Sequence, residues 1–346
     1  MTSGLMVPPG TRIGDRYDVL EALGEGTQGQ VYRVLDRNLG VEQALKLLRP
    51  QPGEPATWDE AKILKRLESD YLLRVLNADV ASPADLRYIT TPLLPGGDIE
   101  AKIRNRGITP SKAIRWGMQV AHGLQRIHDE RLLHRDIKPA NVYLDSAGDA
   151  LLGDLGLAIQ MGPDGKSPPR GTPQTMAPEA LSTFGKCSVR TDIYSLAATV
   201  FFMMTGQYPV YNRGDVAKRV LKGERRSVRD LAPHVSRATG TVIERSLSYD
   251  PEGRAASARD FANQLSQASP HPREWSLLAD HEDHQICLRG EPFRFRRGIT
   301  VCAIPSGGKW KTEVYRDGGR RARKLEKDGL AYERIAVELR KLAETL

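Results

Sequence analysis

Between Tyr17 and Tyr32 two short strand-like runs are joined by Gly24, Glu25, Gly26, Thr27, Gln28 and Gly29, and this glycine-rich hairpin constrains the fold more than any other feature. Glycines at this spacing let backbone N–H groups approach a phosphate with no side chain intervening. The same spacing opens dinucleotide-binding folds, but there a helix follows the glycines, whereas Gln30 to Leu35 continues as a strand. Gln43 to Leu48 is strand-like again, and Trp58 to Leu67 sets Ile63, Leu64 and Leu67 at helical spacing. Long helices come later. One opens at Thr109 and Pro110, a capping residue followed by proline at the first helical position, with Ile114, Met118, Ala121 and Leu124 as its core stripe. Asp192 to Thr205 is apolar nearly all round and stops at Gly206, the pattern of a buried helix. A third helix starts near Ser257 and runs through Phe261 and Leu265. A small strand-rich region ahead of a larger helical one predicts an α+β class with a cleft between two lobes.

The 346 residues allow two or three folded units, at roughly 100–200 residues per domain. With 40% apolar and 27% charged residues the chain is ordinary for a soluble globular protein. No apolar run reaches the ~20 residues of a membrane span; Ile193 to Met204 comes nearest. Met1 to Gly10 has neither a cationic start nor a continuous apolar stretch, so it does not read as a secretory signal. A cytoplasmic protein without membrane contact is expected. Cys187, Cys287 and Cys302 are odd in number, far apart in sequence and lack metal-ligand spacing, which predicts reduced packing thiols.

Charge is unevenly placed: nearly all of the +8 excess falls after Ile286. A proline-bearing stretch, Ser269 to Arg273, marks a boundary before it. Beyond it Phe293 and Phe295 alternate with arginines, and Ile299 to Ile304 and Trp310 to Tyr315 are strand-like, joined across Ser306, Gly307 and Gly308. Leu330 to Leu346 sets Ile335, Leu339, Leu342 and Leu346 on one helical stripe. These features predict a small separate α/β domain. Arg289, Arg294, Arg296, Arg297, Lys309, Lys311, Arg320, Arg321, Arg323 and Lys324, with Trp310 and Tyr315 interleaved, read as a cationic strand face able to neutralise nucleic-acid phosphates. The competing readings are a solvated surface, which is what basic clusters usually are, and a face that docks on the rest of the chain or recruits acidic substrates.

The chemistry lies in His134, Arg135, Asp136, Ile137, Lys138, Pro139, Ala140 and Asn141. Here the sequence resembles the catalytic loop of the protein kinase superfamily, in the style of the eukaryotic-like (Hanks-type) serine/threonine kinases of bacteria. The resemblance covers Tyr17 to about Ser269. It implies a two-lobe kinase fold over 17–270, with an N-lobe at 17–94 and a C-lobe at 95–270, after an extension at 1–16 and before a basic accessory domain at 271–346. It makes Asp136 the acceptor of the incoming hydroxyl's proton, Lys138 the offset to phosphoryl charge, and Asn141 with Asp154 the holders of magnesium, manganese being an alternative.

The other motifs follow in order. Gly24, Gly26 and Gly29, then Val31, resemble the loop that covers the ATP phosphates. Lys46 resembles the strand lysine on the α- and β-phosphates, with Glu60 as its ion-pair partner and Glu68 or Glu54 as alternatives in a shifted register. Asp154, Leu155 and Gly156 stand where the family carries Asp-Phe-Gly; leucine departs from the pattern but keeps the apolar role and the carboxylate. The adenine site is implied to comprise Val31, Ala44 and Tyr143 around the base, Thr91 as gatekeeper, Pro92 supplying a carbonyl and Leu94 an N–H. Ala177, Pro178 and Glu179 close the activation segment, Arg254 pairs with Glu179, and Asp192 holds the catalytic-loop backbone. Lys138, Gly171 and Thr172 resemble kinases that act on serine or threonine. Arg135 resembles the arginine of kinases ordered by phosphorylation of their own activation segment, with Ser167, Thr172 and Thr175 as the hydroxyls available.

Two rival classes compete with a protein-phosphorylating enzyme. A catalytically empty scaffold is disfavoured because Lys46, Asp136, Asn141 and Asp154 are all present, and a small-molecule phosphotransferase of related fold would lack the Ala-Pro-Glu segment and the Lys138-Pro139 pair.

Overall fold

Alternating burial in the first hundred residues is realised as a six-stranded antiparallel sheet in the computed structural model, which describes residues 7–26, 29–48, 67–81, 86–105, 107–268, 273–278 and 286–346. Its strands are β1 (Arg12–Ile13), β2 (Tyr17–Gly26), β3 (Gly29–Asp36), β4 (Val41–Leu48), β5 (Asn77–Ala81) and β6 (Leu86–Pro92), in the spatial order β1-β2-β3-β4-β6-β5. Tyr17, Val19, Tyr32, Val34, Leu45 and Leu47 point to a buried cluster, while their neighbours Val31, Ala44 and Lys46 lie half-buried on the opposite face. Ile13 is buried in that cluster and β1 pairs with β2, so Arg12 and Ile13 of the expected extension add an edge strand to the sheet. Trp58 to Arg66 of the expected helix, Glu60 among them, lie outside the described residues, as do Glu54, Thr27, Gln28 and positions 269–272 of the expected boundary.

The second lobe is helical. Its helices are α1 (Ile99–Ile103), α2 (Pro110–Asp129), α3 (Pro178–Leu181), α4 (Val189–Thr205), α5 (Val216–Leu221), α6 (Val228–Leu231), α7 (Arg237–Ser246) and α8 (Ala258–Gln267). Short strand pairs, β7 (Leu132–Leu133) with β10 (Ile159–Gln160) and β8 (Val142–Leu144) with β9 (Ala150–Leu152), carry the loops that face the cleft. Thr109 stands before α2 without a capping hydrogen bond, so Pro110 alone marks that start. Helix α4 begins three residues before the expected Asp192, because Ser188 and Thr191 exchange hydrogen bonds at its N-terminus and free Asp192 for another task. From Thr191 to Thr205 it is buried throughout, and Gly206 takes φ 69° to end it.

Beyond residue 273 a five-stranded antiparallel meander, β11 (Trp275–Leu278), β12 (Ile286–Gly290), β13 (Ile299–Ser306), β14 (Lys309–Arg316) and β15 (Arg320–Arg321), packs one face on α9 (Ile335–Thr345). Trp275, Leu288, Val301, Val314 and Leu339 form its own apolar cluster. The helix follows the sheet rather than alternating with parallel strands, so the α/β expectation becomes α+β here. This segment rests on the helical lobe: Arg340 is paired with Asp230 and donates to the Arg229 carbonyl at 3.0 Å, Arg229 meets Glu344 at 2.7 Å, and Ser111 donates to Glu274 at 2.7 Å. All three cysteines are buried thiols, but Cys287 lies directly opposite Cys302 across β12 and β13, which the sequence separation concealed. Among the described residues no helix is long and apolar enough to cross a membrane.

Candidate active site

The loop after β7 is held from below by a buried carboxylate. Asp192 accepts the backbone N–H of His134 and of Arg135, each at 2.9 Å, and lies 2.9 Å from His128 Nε2. Burial opposes its charge, but these donors outweigh burial and keep its carboxyl below the ordinary value. His128 was not anticipated from sequence; a histidine on the buried side of α2, facing the loop, was the available signal. Arg135 sits at φ 67°, a conformation kept by this grip and by its side chain, which donates to the carbonyls of Leu157 at 2.7 Å and Pro168 at 3.0 Å.

Above this base Asp136 presents both carboxylate oxygens to donors. Thr172 donates to Oδ1 at 2.6 Å and Lys138 Nζ to Oδ2 at 2.7 Å, and Lys138 also donates to the Thr172 hydroxyl at 3.0 Å. Asn141 turns its amide N–H₂ to the Asp136 carbonyl at 2.8 Å and to Oδ2 at 3.2 Å. With its NH₂ so engaged, the Asn141 side-chain oxygen is left for a cation. The return strand is tied in by Gly153, whose N–H donates to the Asn141 carbonyl at 2.9 Å and whose carbonyl lies 3.1 Å from His134 Nε2. Gly171 brings the activation segment this close: a Cβ there would stand 2.4 Å from the Arg135 carbonyl oxygen, and its φ is 138°.

Asp154 follows Gly153 at φ 55°, again outside the ordinary range for a non-glycine residue. Its Oδ1 receives Lys46 Nζ from β4 at 2.7 Å, bridging the two lobes. Burial disfavours the Asp154 charge, yet the Lys46 ammonium, with smaller contributions from His134 and Lys138, holds the carboxyl below its usual value. The ionised Asp154 and the Asn141 amide oxygen make an all-oxygen pair, suited to magnesium, which binds through one or two protein oxygens and completes its shell with water and phosphate. Glu60, the expected partner of Lys46, lies outside the described residues.

Of the residues expected at the adenine site, Val31, Ala44, Thr91 and Pro92 lie half-buried in the sheet, the first three on one side of it. Arg33 and Thr91 flank Ala44 in register, Val31 stands opposite Lys46, and Pro92 ends β6 opposite Gln43. Leu94 follows as part of a turn in which Gly97 donates to its carbonyl at 3.1 Å, and among the described residues nothing accepts the Leu94 N–H. Tyr143 lies on β8, bridged to Asp98 and beside Gly153. Gly24 has open space around it, whereas Gly29 is demanded by packing: a Cβ there would stand 1.9 Å from the Leu47 carbonyl oxygen. The activation-segment hydroxyls are enclosed. Ser167 is 5% and Thr175 1% exposed, and Thr172 is engaged with Asp136 and Lys138. Arg254, itself buried, grips Glu179 with two bonds of 2.6 and 2.8 Å and anchors α3.

Comparison with known proteins agrees with this geometry. The protein kinase domain family matches residues 17–272. The DNA damage-responsive serine/threonine-protein kinase RqkA of Deinococcus radiodurans is 31% identical over 268 residues, covering 74% of this chain and 40% of the relative. Serine/threonine-protein kinase PknJ of Mycobacterium tuberculosis is 29% identical over 333 residues, covering 85% and 53%. Serine/threonine-protein kinase pkn2 of Myxococcus xanthus is 28% identical over 285 residues, covering 76% and 34%. The chain thus spans between a third and just over half of the length of these curated relatives.

Proposed function

The chain belongs to the protein kinase family, whose members use ATP and a divalent metal, and from that premise we propose that it transfers the γ-phosphoryl group of ATP to serine or threonine hydroxyls of proteins. The observation that carries this reading is the joint placement of Asp136, Lys138 and Thr172 within mutual hydrogen-bond distance, beside Asn141, with Lys46 on Asp154 across the cleft.

In this reading Asp136 accepts the proton of the acceptor hydroxyl as its oxygen bonds to the γ-phosphorus and the bond to the β-phosphate oxygen breaks. Lys138, already beside Asp136, balances charge on the transferring group. Asp154 and Asn141 would hold the magnesium, which when bound neutralises charge on the β- and γ-phosphates; manganese, with the same taste for oxygen ligands, would serve in its place. Lys46 would exchange its bond to Asp154 for the α- and β-phosphates or share itself between them. Val31, Ala44 and Tyr143 would enclose the base, with the Leu94 N–H and Pro92 carbonyl on its polar edge and Thr91 behind it. Gly24, Gly26 and Gly29 would cover the phosphates. Glu60 would be the ion-pair partner of Lys46.

Two finer readings extend this one. The first is autophosphorylation of the activation segment, at Ser167 or Thr175; because both are buried, modification requires the segment to swing out, and Arg135, now bound to carbonyls on both sides of it, would receive the phosphate. The second is that residues 271–346 form an accessory domain, supported by their separate apolar cluster and by the Arg340, Glu344 and Glu274 contacts that dock them on the helical lobe.

The test is magnesium-dependent transfer of labelled γ-phosphate to a generic protein substrate, with mass mapping of the labelled residues. The reading expects label on serine or threonine, lost in Asp154→Asn; label on neither, with magnesium or manganese, overturns it.

A further inference from the structure

The cations of the C-terminal segment are sorted by the fold. On the sheet face away from α9, Glu313 takes both Lys311 at 2.7 Å and Arg321 at 2.9 Å, and Glu326 takes Arg321 at 2.8 Å. Arg289 pairs with Asp317 at 2.7 Å and Lys327 with Glu338 at 2.8 Å. Three of the ten cations expected on the strand face, Arg289, Lys311 and Arg321, are therefore neutralised by carboxylates of the sheet and its turns.

Of the cations without a carboxylate partner among the described residues, four arginines gather at one end of the sheet. The turn between β12 and β13 is closed by Phe293 and Arg296, whose backbones exchange hydrogen bonds of 3.1 and 2.9 Å. It is joined to the turn between β14 and β15 through Gly298, which donates to the Asp317 carboxylate at 2.8 Å and accepts from the Asp317 N–H at 3.1 Å. Arg294, Arg297, Arg316 and Arg320 are exposed there and form no ion pair among the described residues. Phe295, at the tip, is fully exposed, and Arg294 lies over the Phe293 ring at 5.1 Å. Beside the tip a groove of about 280 Å³ is lined by Arg273, Phe293, Arg296, Glu344 and Leu346. Glu291, Asp317 and Glu344 are the acidic neighbours; the first two face Arg289 and Glu344 is paired with Arg229.

We propose that this end of the sheet binds single-stranded nucleic acid, with Phe295 stacking on a base and Arg294, Arg297, Arg316 and Arg320 on the flanking phosphates. Three features select this partner. Every unpaired cation of the cluster is arginine, whose planar fork matches phosphate oxygens, whereas attraction to an anionic membrane is served equally by lysine. One exposed ring is a stacking platform for an unpaired base but a weak membrane anchor. Duplexes hide the base faces that such a ring needs. The proposal does not depend on phosphoryl transfer, because the surface lies outside the cleft.

The experiment is fluorescence anisotropy of a labelled mixed-sequence 20-nucleotide single strand with the full chain, without ATP, alongside phosphotransfer on the same preparations. Binding should weaken roughly 20–50-fold between 50 and 200 mM salt, as expected for three or four phosphate contacts. Phe295→Ala should weaken it about tenfold, Phe295→Tyr should restore it, and Arg294→Ala with Arg297→Ala should flatten the salt dependence. The matching duplex should bind about tenfold more weakly, and Lys218→Ala on the helical lobe should change nothing. No binding at 50 mM salt, equal affinity for duplex, an unaffected Phe295→Ala with unchanged melting temperature, or binding to phosphatidylserine vesicles in place of the strand would each overturn the proposal.

Discussion

Thr172 donates its hydroxyl to Asp136 Oδ1 at 2.6 Å while accepting from Lys138 Nζ at 3.0 Å, so the activation segment and the catalytic loop share one hydrogen-bonded unit. In Thr172→Ala the carboxylate loses a charge-assisted bond of about 1.5–3 kcal/mol, and kcat should fall roughly 10–100-fold while the KM for ATP barely moves. Thr172→Ser, which keeps the hydroxyl, should recover most of the rate. Steady-state kinetics on the two variants distinguishes this unit from a passive contact, which would leave kcat unchanged.

A second expectation concerns Gly29. An added Cβ would collide with the Leu47 carbonyl oxygen 1.9 Å away, and only separation of β3 from β4 near Lys46 relieves it. Gly29→Ala should therefore weaken ATP binding roughly tenfold, an effect of overpacking worth about 1–3 kcal/mol. Titration calorimetry with a non-hydrolysable ATP analogue reads it directly, and wild-type affinity would refute it.

The Asp192 carboxyl titrates below its ordinary value because the His128 bond and neighbouring charges outweigh its burial. A carboxyl depressed in the folded state adds stability above its unfolded pKa, and that stability is lost as pH falls through the lower, folded pKa. Replacing His128 by Phe removes a donor, raises the Asp192 pKa and should move the acid-unfolding midpoint to higher pH. Circular dichroism from the ordinary carboxylate range downward measures the shift; an unmoved midpoint would show that His128 contributes nothing to Asp192.

Arg254 is buried and bidentate on Glu179, with its guanidinium 5.0 Å from the Tyr194 ring centroid. Arg254→Ala leaves the Glu179 carboxylate without its partner, a loss of roughly 3 kcal/mol. For a domain of this size that is a fall of roughly 6–12 °C in Tm by calorimetry. Arg254→Lys should recover only part of it, since an ammonium cannot reproduce the paired fork.

The catalytic loop was legible in the sequence because its chemistry needs Asp136, Lys138 and Asn141 at fixed spacing on one short segment. Lys46 and Asp154 were legible only by their order along the chain, since the bond between them closes a cleft that no local pattern records. Gly29 was read as a phosphate cradle, yet what it meets first is the backbone of β4, a constraint set by strand pairing. The C-terminal segment was least legible. Trp275 to Leu278 is too short to declare a strand, and the pairing of Arg321 with Glu313 depends on cross-strand register, so a charge count overstated the cationic face. Cys287 and Cys302 became neighbours for the same reason.

The most direct measurement of the central claim compares wild type with Asp136→Asn in magnesium-dependent transfer of labelled γ-phosphate, with ATP binding measured on both. The predicted result is labelled serine or threonine with wild type, a loss of about a hundredfold or more in the variant, and equal ATP affinity. Equal transfer by the two proteins would contradict the role of Asp136, and ATP binding without transfer by wild type would contradict the assignment of the chain as a working phosphotransferase.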